Sequence, residues 1–120
     1  MPNHPKIQVG IDFIQRLAQY DPNMQLSTAC VLLYVARFQD RKGGVTTSDL
    51  MKWLGFSPAS SSRNSYYWGE GTPDMPNSGF GLLRSEVDPL DRRRKHLKLT
   101  PRGEVFVSQL EDILDGTSKG

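Results

Sequence analysis

The chain has 120 residues, 37% hydrophobic and 23% charged, which is the size and composition of one domain with a modest single core. Its formal net charge of +2 says little about partners, its lone Cys30 cannot close an intramolecular disulfide, and its longest apolar run covers only residues 29–36, far short of the roughly 20 residues that cross a bilayer. Pervasive disorder, a disulfide scaffold and a helical membrane span are excluded; with no charged-then-apolar leader at its start, a reducing cytoplasm is the expected compartment.

The opening, with Pro2 and Pro5, leads into a helix expected over residues 7–20, where Ile7, Gly10, Ile11, Ile14, Leu17 and Ala18 recur at helical spacing along one side. Asp21-Pro22-Asn23 stops it, because proline disfavours helical geometry in the residue before it. A second helix, capped by Ser27 or Thr28, reaches about Gln39 and is apolar on almost every side through Cys30, Val31, Leu32, Leu33, Val35 and Ala36, the pattern of a buried central helix. Cys30 is expected there as a packed thiol. Gly43-Gly44 ends the charged exit Asp40-Arg41-Lys42. Thr46 or Thr47 then caps a third, short helix, with Asp49 in its first turn and Leu50, Met51, Trp53 and Leu54 facing inward.

Gly55 closes that helix, and Ser57-Pro58 opens another over residues 58–68, a serine cap followed by a proline where a missing N–H is harmless. Two short helices joined by a tight glycine-containing turn are a helix-turn-helix signal. Residues 69–81 hold Gly69, Gly71, Gly79, Gly81, Pro73, Pro76, Asn77 and Ser78 and are expected to form a loop. Residues 82–87 and 94–99 read as strands, the second alternating His96 and Lys98 with Leu97 and Leu99, and residues 88–91 supply the turn. Thr100-Pro101 repeats the cap-then-proline signature and opens a last helix striped by Val105, Phe106, Leu110, Ile113 and Leu114, after which residues 116–120 are expected to be loose.

The order helix, helix, helix-turn-helix, hairpin, helix describes a mostly α winged helix-turn-helix with a small β-hairpin. It makes one domain over residues 1–120, with an N-terminal helix at 7–20 and a core at 26–115. Arg92, Arg93, Arg94, Lys95, His96, Lys98 and Arg102 concentrate on the hairpin tip and return strand, whereas residues 104–115 are acidic. Phosphates attract such a cluster, so the helix over 58–68 is expected in a major groove of double-stranded DNA and the hairpin, through Arg92, Arg93, Arg94 and Lys95, at the adjacent minor groove. Helical spacing puts Ser60, Arg63 and Tyr67 on one stripe, with Asn64 beside it and Ser57 at its head. Arg63 has the geometry to read guanine and Asn64 adenine.

The segment Asp88-Pro89-Leu90-Asp91-Arg92-Arg93, followed by Leu97, Leu99-Thr100 and Gly103, resembles the MarR-like winged-helix transcription regulators. So do Leu26-Ser27, residues 50–55, Ser57-Pro58-Ala59-Ser60, Ser62-Arg63 and Gly81-Leu82-Leu83-Arg84, and the resemblance spans residues 26–114. It implies a sequence-selective DNA-binding regulator and a homodimer joined by terminal helices, with Asp91 orienting a wing arginine and Arg92 or Arg93 reaching into the minor groove. The chain departs from the family in three places: Ser61 and Ser65 are small where the family packs larger apolar residues, the stretch over 70–79 is long, and the last helix is short. The bulk of Trp68, Tyr66 or Phe56 is expected to fill the space that the two serines leave.

No cofactor, metal or enzymatic activity is expected. His4 and His96 lack metal-ligand spacing; Glu86, Asp88 and Asp91 have arginine partners close at hand; and no phosphate-cradling loop or nucleophile motif occurs. The competing class is an interaction module that binds a host or polymerase protein through residues 69–81, since a fold alone never settles function.

Overall fold

The computed structural model describes residues 3–72 and 74–116, and these form α1 (Ile7–Ala18), α2 (Leu26–Phe38), α3 (Thr47–Leu54), α4 (Pro58–Trp68), β1 (Gly71–Thr72), β2 (Met75–Pro76), β3 (Leu83–Val87), β4 (Lys95–Leu99) and α5 (Pro101–Leu114). The core is built on α2: Val31, Leu32 and Val35 are wholly buried against Leu50, Trp68, Leu82, Leu97, Phe106 and Leu110. That helix starts at Leu26, ahead of the serine or threonine cap expected, with Gln25 at its N-cap making no side-chain bond. Packing explains the difference: Thr28 is drawn into the core, where its carbonyl accepts a 2.7 Å bond from Trp68 Nε1.

Local chemistry sets the starts of α3, α4 and α5 as expected. Thr46 and Asp49 form a reciprocal capping box at α3, Ser57 accepts from the Ser60 amide at α4, and Thr100 accepts from the Gly103 amide at α5. Thr100 also donates through Oγ1 to the Gly81 carbonyl (2.7 Å), which pins the entry of α5 to the root of the wing. The Gly69-to-Gly81 stretch is not the plain loop expected but a second hairpin. Its neck is zipped by backbone bonds from Leu82 to Trp68 (2.8 Å), Gly81 to Gly69 (2.8 Å) and Phe80 to Tyr67 (3.1 Å), and β1 pairs antiparallel with β2. Turn residues marked the reversal, while the pairing depends on close backbone approach at Gly79, where a Cβ would lie 2.2 Å from the Gly69 carbonyl oxygen.

β3 and β4 pair from Leu83 opposite Leu99 to Val87 opposite Lys95, each strand one residue shorter than expected, and the turn between them covers 88–94. The free side of β4 meets the lead-in to α3: the Leu97 amide donates to the Val45 carbonyl (2.7 Å), and Thr46 bridges to His96. Buried Gln39 at the end of α2 accepts from the Leu99 amide and donates to Glu104 of α5 (3.0 Å). The wing is thus held from three elements.

α1 ends at Ala18, short of Tyr20, and of its apolar stripe only Leu17 is buried, leaving Ile7, Ile11 and Ile14 on the surface. It leans on α5, where Arg16 bonds Gln109 (2.5 Å) and lies over the Phe106 ring. Cys30 is half-buried, less sealed than expected. Of the tail expected to be loose, residues 117–120 lie outside the described residues.

Candidate nucleic-acid interface

The azimuth of α4 decides which of its side chains a ligand meets. Ser61 and Trp68 are buried on its inner side, and Ser61 Oγ donates to the Thr47 carbonyl (3.1 Å), so a small residue there lets α3 and α4 approach closely. Trp68 is wholly buried in the core, Phe56 packs partly buried against it, and Tyr66 stays exposed. The outward stripe is consequently Ala59, Ser62, Arg63 and Tyr66, one step around the helix from the stripe expected.

Arg63 is exposed and bonds Ser60 Oγ (3.0 Å); Ser57 and Ser60 bond each other at the cap; Asn64 donates to the Ser60 carbonyl (2.8 Å). Tyr67 is turned away from the outward stripe: its hydroxyl donates to Asp21 Oδ2 (2.7 Å), and its ring meets Trp68 and Phe80 edge-on. Burial, then the Asp21 carboxylate, push the Tyr67 pKa upward. Ser60, Arg63, Asn64 and Tyr67 together with Asp21 line a polar groove beside the α1–α2 connection.

On the wing, Arg92, Arg93, Arg94 and Lys95 are all exposed. Asp91 does touch a wing arginine, accepting from the Arg93 amide (3.1 Å) with Arg93 Nε 3.4 Å away, but the Arg93 side chain is 93% exposed. A firmer brace lies behind it. Asp88 is buried, accepts from the Leu90 amide (2.8 Å) and reaches His96 Nε2 (2.9 Å) across the turn. The Leu90 amide lowers the Asp88 pKa, burial opposes, and His96 adds to the lowering. Its partner is therefore a histidine and not the arginine expected, while Glu86 does pair with Arg84. Sequence reasoning missed this clamp; the available signal was an aspartate just after one strand and a histidine near the start of its partner.

The two elements open on a common space. A cleft of ≈ 270 Å³ is lined by Ser62, Ser65 and Tyr66 of α4, by Thr47 of α3, and by Ser85, Arg93 and Lys95 of the wing. Among the described residues no cluster of His, Cys, Asp and Glu could hold a metal ion, and no helix is long and apolar enough to cross a membrane.

No protein-family model matches the sequence, and no curated protein matches it. Solved structures do. A DNA complex of MepR from S. aureus is 24% identical, with a TM-score of 0.67 covering 97% of this chain and 81% of that one. A variant of MepR bound to an oligodeoxyribonucleotide gives a TM-score of 0.69 at 24% identity, covering 91% of this chain and 70% of that one. MarR gives 0.53 at 21% identity, covering 95% and 78%. With five helices and a basic hairpin braced against the helix-turn-helix, the chain has the MarR-like winged helix-turn-helix fold.

Proposed function

We propose that the protein is a sequence-selective regulator of transcription that binds double-stranded DNA, with α4 in the major groove and the wing tip at the adjacent minor groove. The observation that carries this reading is the shared cleft: Ser62 and Tyr66 on the outward side of α4 and Arg93 and Lys95 of the wing line one opening, as a polyanionic duplex requires. Two of the similar structures hold DNA or an oligodeoxyribonucleotide. Arg63 is the base reader on α4, worth about 1–3 kcal/mol of discrimination if it grips a guanine edge. Ser57, Ser60 and Asn64 shape the helix, and Tyr67 steadies it against Asp21. Arg92 is the minor-groove residue, Arg93, Arg94 and Lys95 are the flanking phosphate contacts, and Asp91 is the residue that limits where Arg93 points.

The protein acts as a binder and not as an enzyme, and as a homodimer: Ile7, Ile11 and Ile14 of α1 and Leu114 of α5 are exposed apolar residues that a second copy would cover. A protein-docking role for the second hairpin draws no support from the similar structures. The test begins by selecting bound duplexes from a random pool and measuring the mass of the free protein. Substituting Arg92→Ala and Arg93→Ala together is then expected to weaken binding to the selected duplex and to lower the slope of log affinity against log salt by about 1 to 2. Unchanged affinity removes the wing from the mechanism.

A further inference from the structure

This inference rests on the duplex-binding reading and adds to it a site for one strand. We infer that the sugar-phosphate backbone between the two occupied grooves seats in the cleft between α4 and the wing. There the neutral hydroxyls of Ser62 and Tyr66 hold its phosphates from one wall, and Arg93 and Lys95 hold them from the other.

The donor chemistry points that way. The only charge on α4 is Arg63, so its wall of the cleft is neutral, yet Ser62, Tyr66 and, across from them, Ser85 and Thr47 present exposed hydroxyls that have no bonding partner among the described residues. Ser65 is different, since its hydroxyl already donates to the Ser61 carbonyl (3.0 Å). No carboxylate lines this cleft; every polar side chain in it can donate, and phosphate oxygens only accept. The space also lies where a backbone must pass, because a strand always separates a major groove from the neighbouring minor groove. Beyond Ser65, Tyr66 and Ser85 the groove continues to Glu70 at the root of the second hairpin, where a carboxylate ends the run of donors.

The two walls should have different signatures. Neutral hydrogen bonds release no counterions and recognise no base, whereas cations do release counterions. Using the selected duplex and a duplex with two mismatched operator positions, Ser62→Ala with Tyr66→Phe is expected to weaken both about three- to tenfold. The salt slope should stay unchanged. Arg93→Ala with Lys95→Ala is expected to lower that slope by about 1.8. Replacing single phosphates by neutral methylphosphonates should locate the contact: one position should weaken the unsubstituted protein while leaving the hydroxyl double variant indifferent. Both side chains in that variant are exposed, and an unchanged melting temperature confirms that it folds. Equal affinity of the hydroxyl variant and the parent overturns the seat in the cleft, and so does a loss confined to the selected duplex, which would mean base reading. Failure of the unsubstituted chain to bind any duplex overturns the functional reading itself, a different result from either.

Discussion

Two hairpins flank α4, and they differ in almost everything but topology. The wing has five-residue strands, a third neighbour at Val45 and Thr46, side-chain braces from Gln39 and from the Asp88–His96 clamp, and a tip of four exposed cations. The β1–β2 hairpin has two-residue strands, is held mainly by the backbone at its neck and by Phe80 packed among Tyr20, Tyr67 and Trp68, and exposes Glu70 and Asp74. The difference separates two jobs. A long strand pair braced by side chains can carry a like-charged tip rigidly into solvent, which a polyanion ligand repays, whereas a short neck of backbone bonds suits an insertion that only has to return the chain to β3.

The largest loss is expected from removing what both hairpins share. Trp68 is wholly buried, and its backbone carbonyl receives Leu82 where the insertion meets the wing. Trp68→Ala is expected to destabilise the whole protein by about 3–5 kcal/mol in a denaturant titration. Next come substitutions that separate the two. Gly44 has φ 61°, and a Cβ on it would stand 2.7 Å from His96 Nδ1; at Gly79 a Cβ would meet the Gly69 carbonyl. Gly44→Ala, through left-handed backbone strain and collision with the His96 ring, and Gly79→Ala, through collision with backbone atoms, should each cost about 1–3 kcal/mol. Only Gly44→Ala should also reduce duplex affinity, since only it disturbs the wing. Equal losses from both would show that the second hairpin belongs to the binding surface.

A smaller effect is expected with pH. The Asp88 pKa is depressed in the folded protein, so the stability it contributes is complete above the free carboxylate value of about 3.9 and is lost as pH falls through the lower folded value. Asp88→Asn should flatten that acid limb of melting temperature against pH and speed amide exchange in β4, leaving the β1–β2 neck protected. The smallest effect sharpens the charge contrast. Glu70→Gln removes a carboxylate at the end of the α4–wing groove, and about twofold tighter duplex binding at low salt is expected, vanishing at high salt.

Ser57-Pro58, Thr100-Pro101 and the Thr46/Asp49 pair placed three helix starts, and the alternation of His96 and Lys98 with Leu97 and Leu99 placed β4. The cation cluster on the hairpin tip was equally legible. Helical spacing puts Tyr67 on the ligand-facing side in place of Tyr66, because α4 is nearly all polar and its sequence contains too little contrast to orient it. Asp88, like Asp91, is expected from sequence to pair with a nearby arginine, and only the folded turn separates them, burying Asp88 against His96 and leaving Asp91 beside an exposed arginine.

Local sequence fixes the order of the five helices and the wing, the caps of α3, α4 and α5 and the location of positive charge, since each follows from bonds or side chains only a few residues apart. Tertiary structure alone decided which side of α4 faces outward, that residues 69–81 pair as a hairpin, and that the α1 stripe remains uncovered in the single chain. Those outcomes depend on which distant surface fills the space first: a buried Ser61 and Trp68 rotate α4, a close pass at Gly79 zips the neck, and α5 covers only one edge of α1.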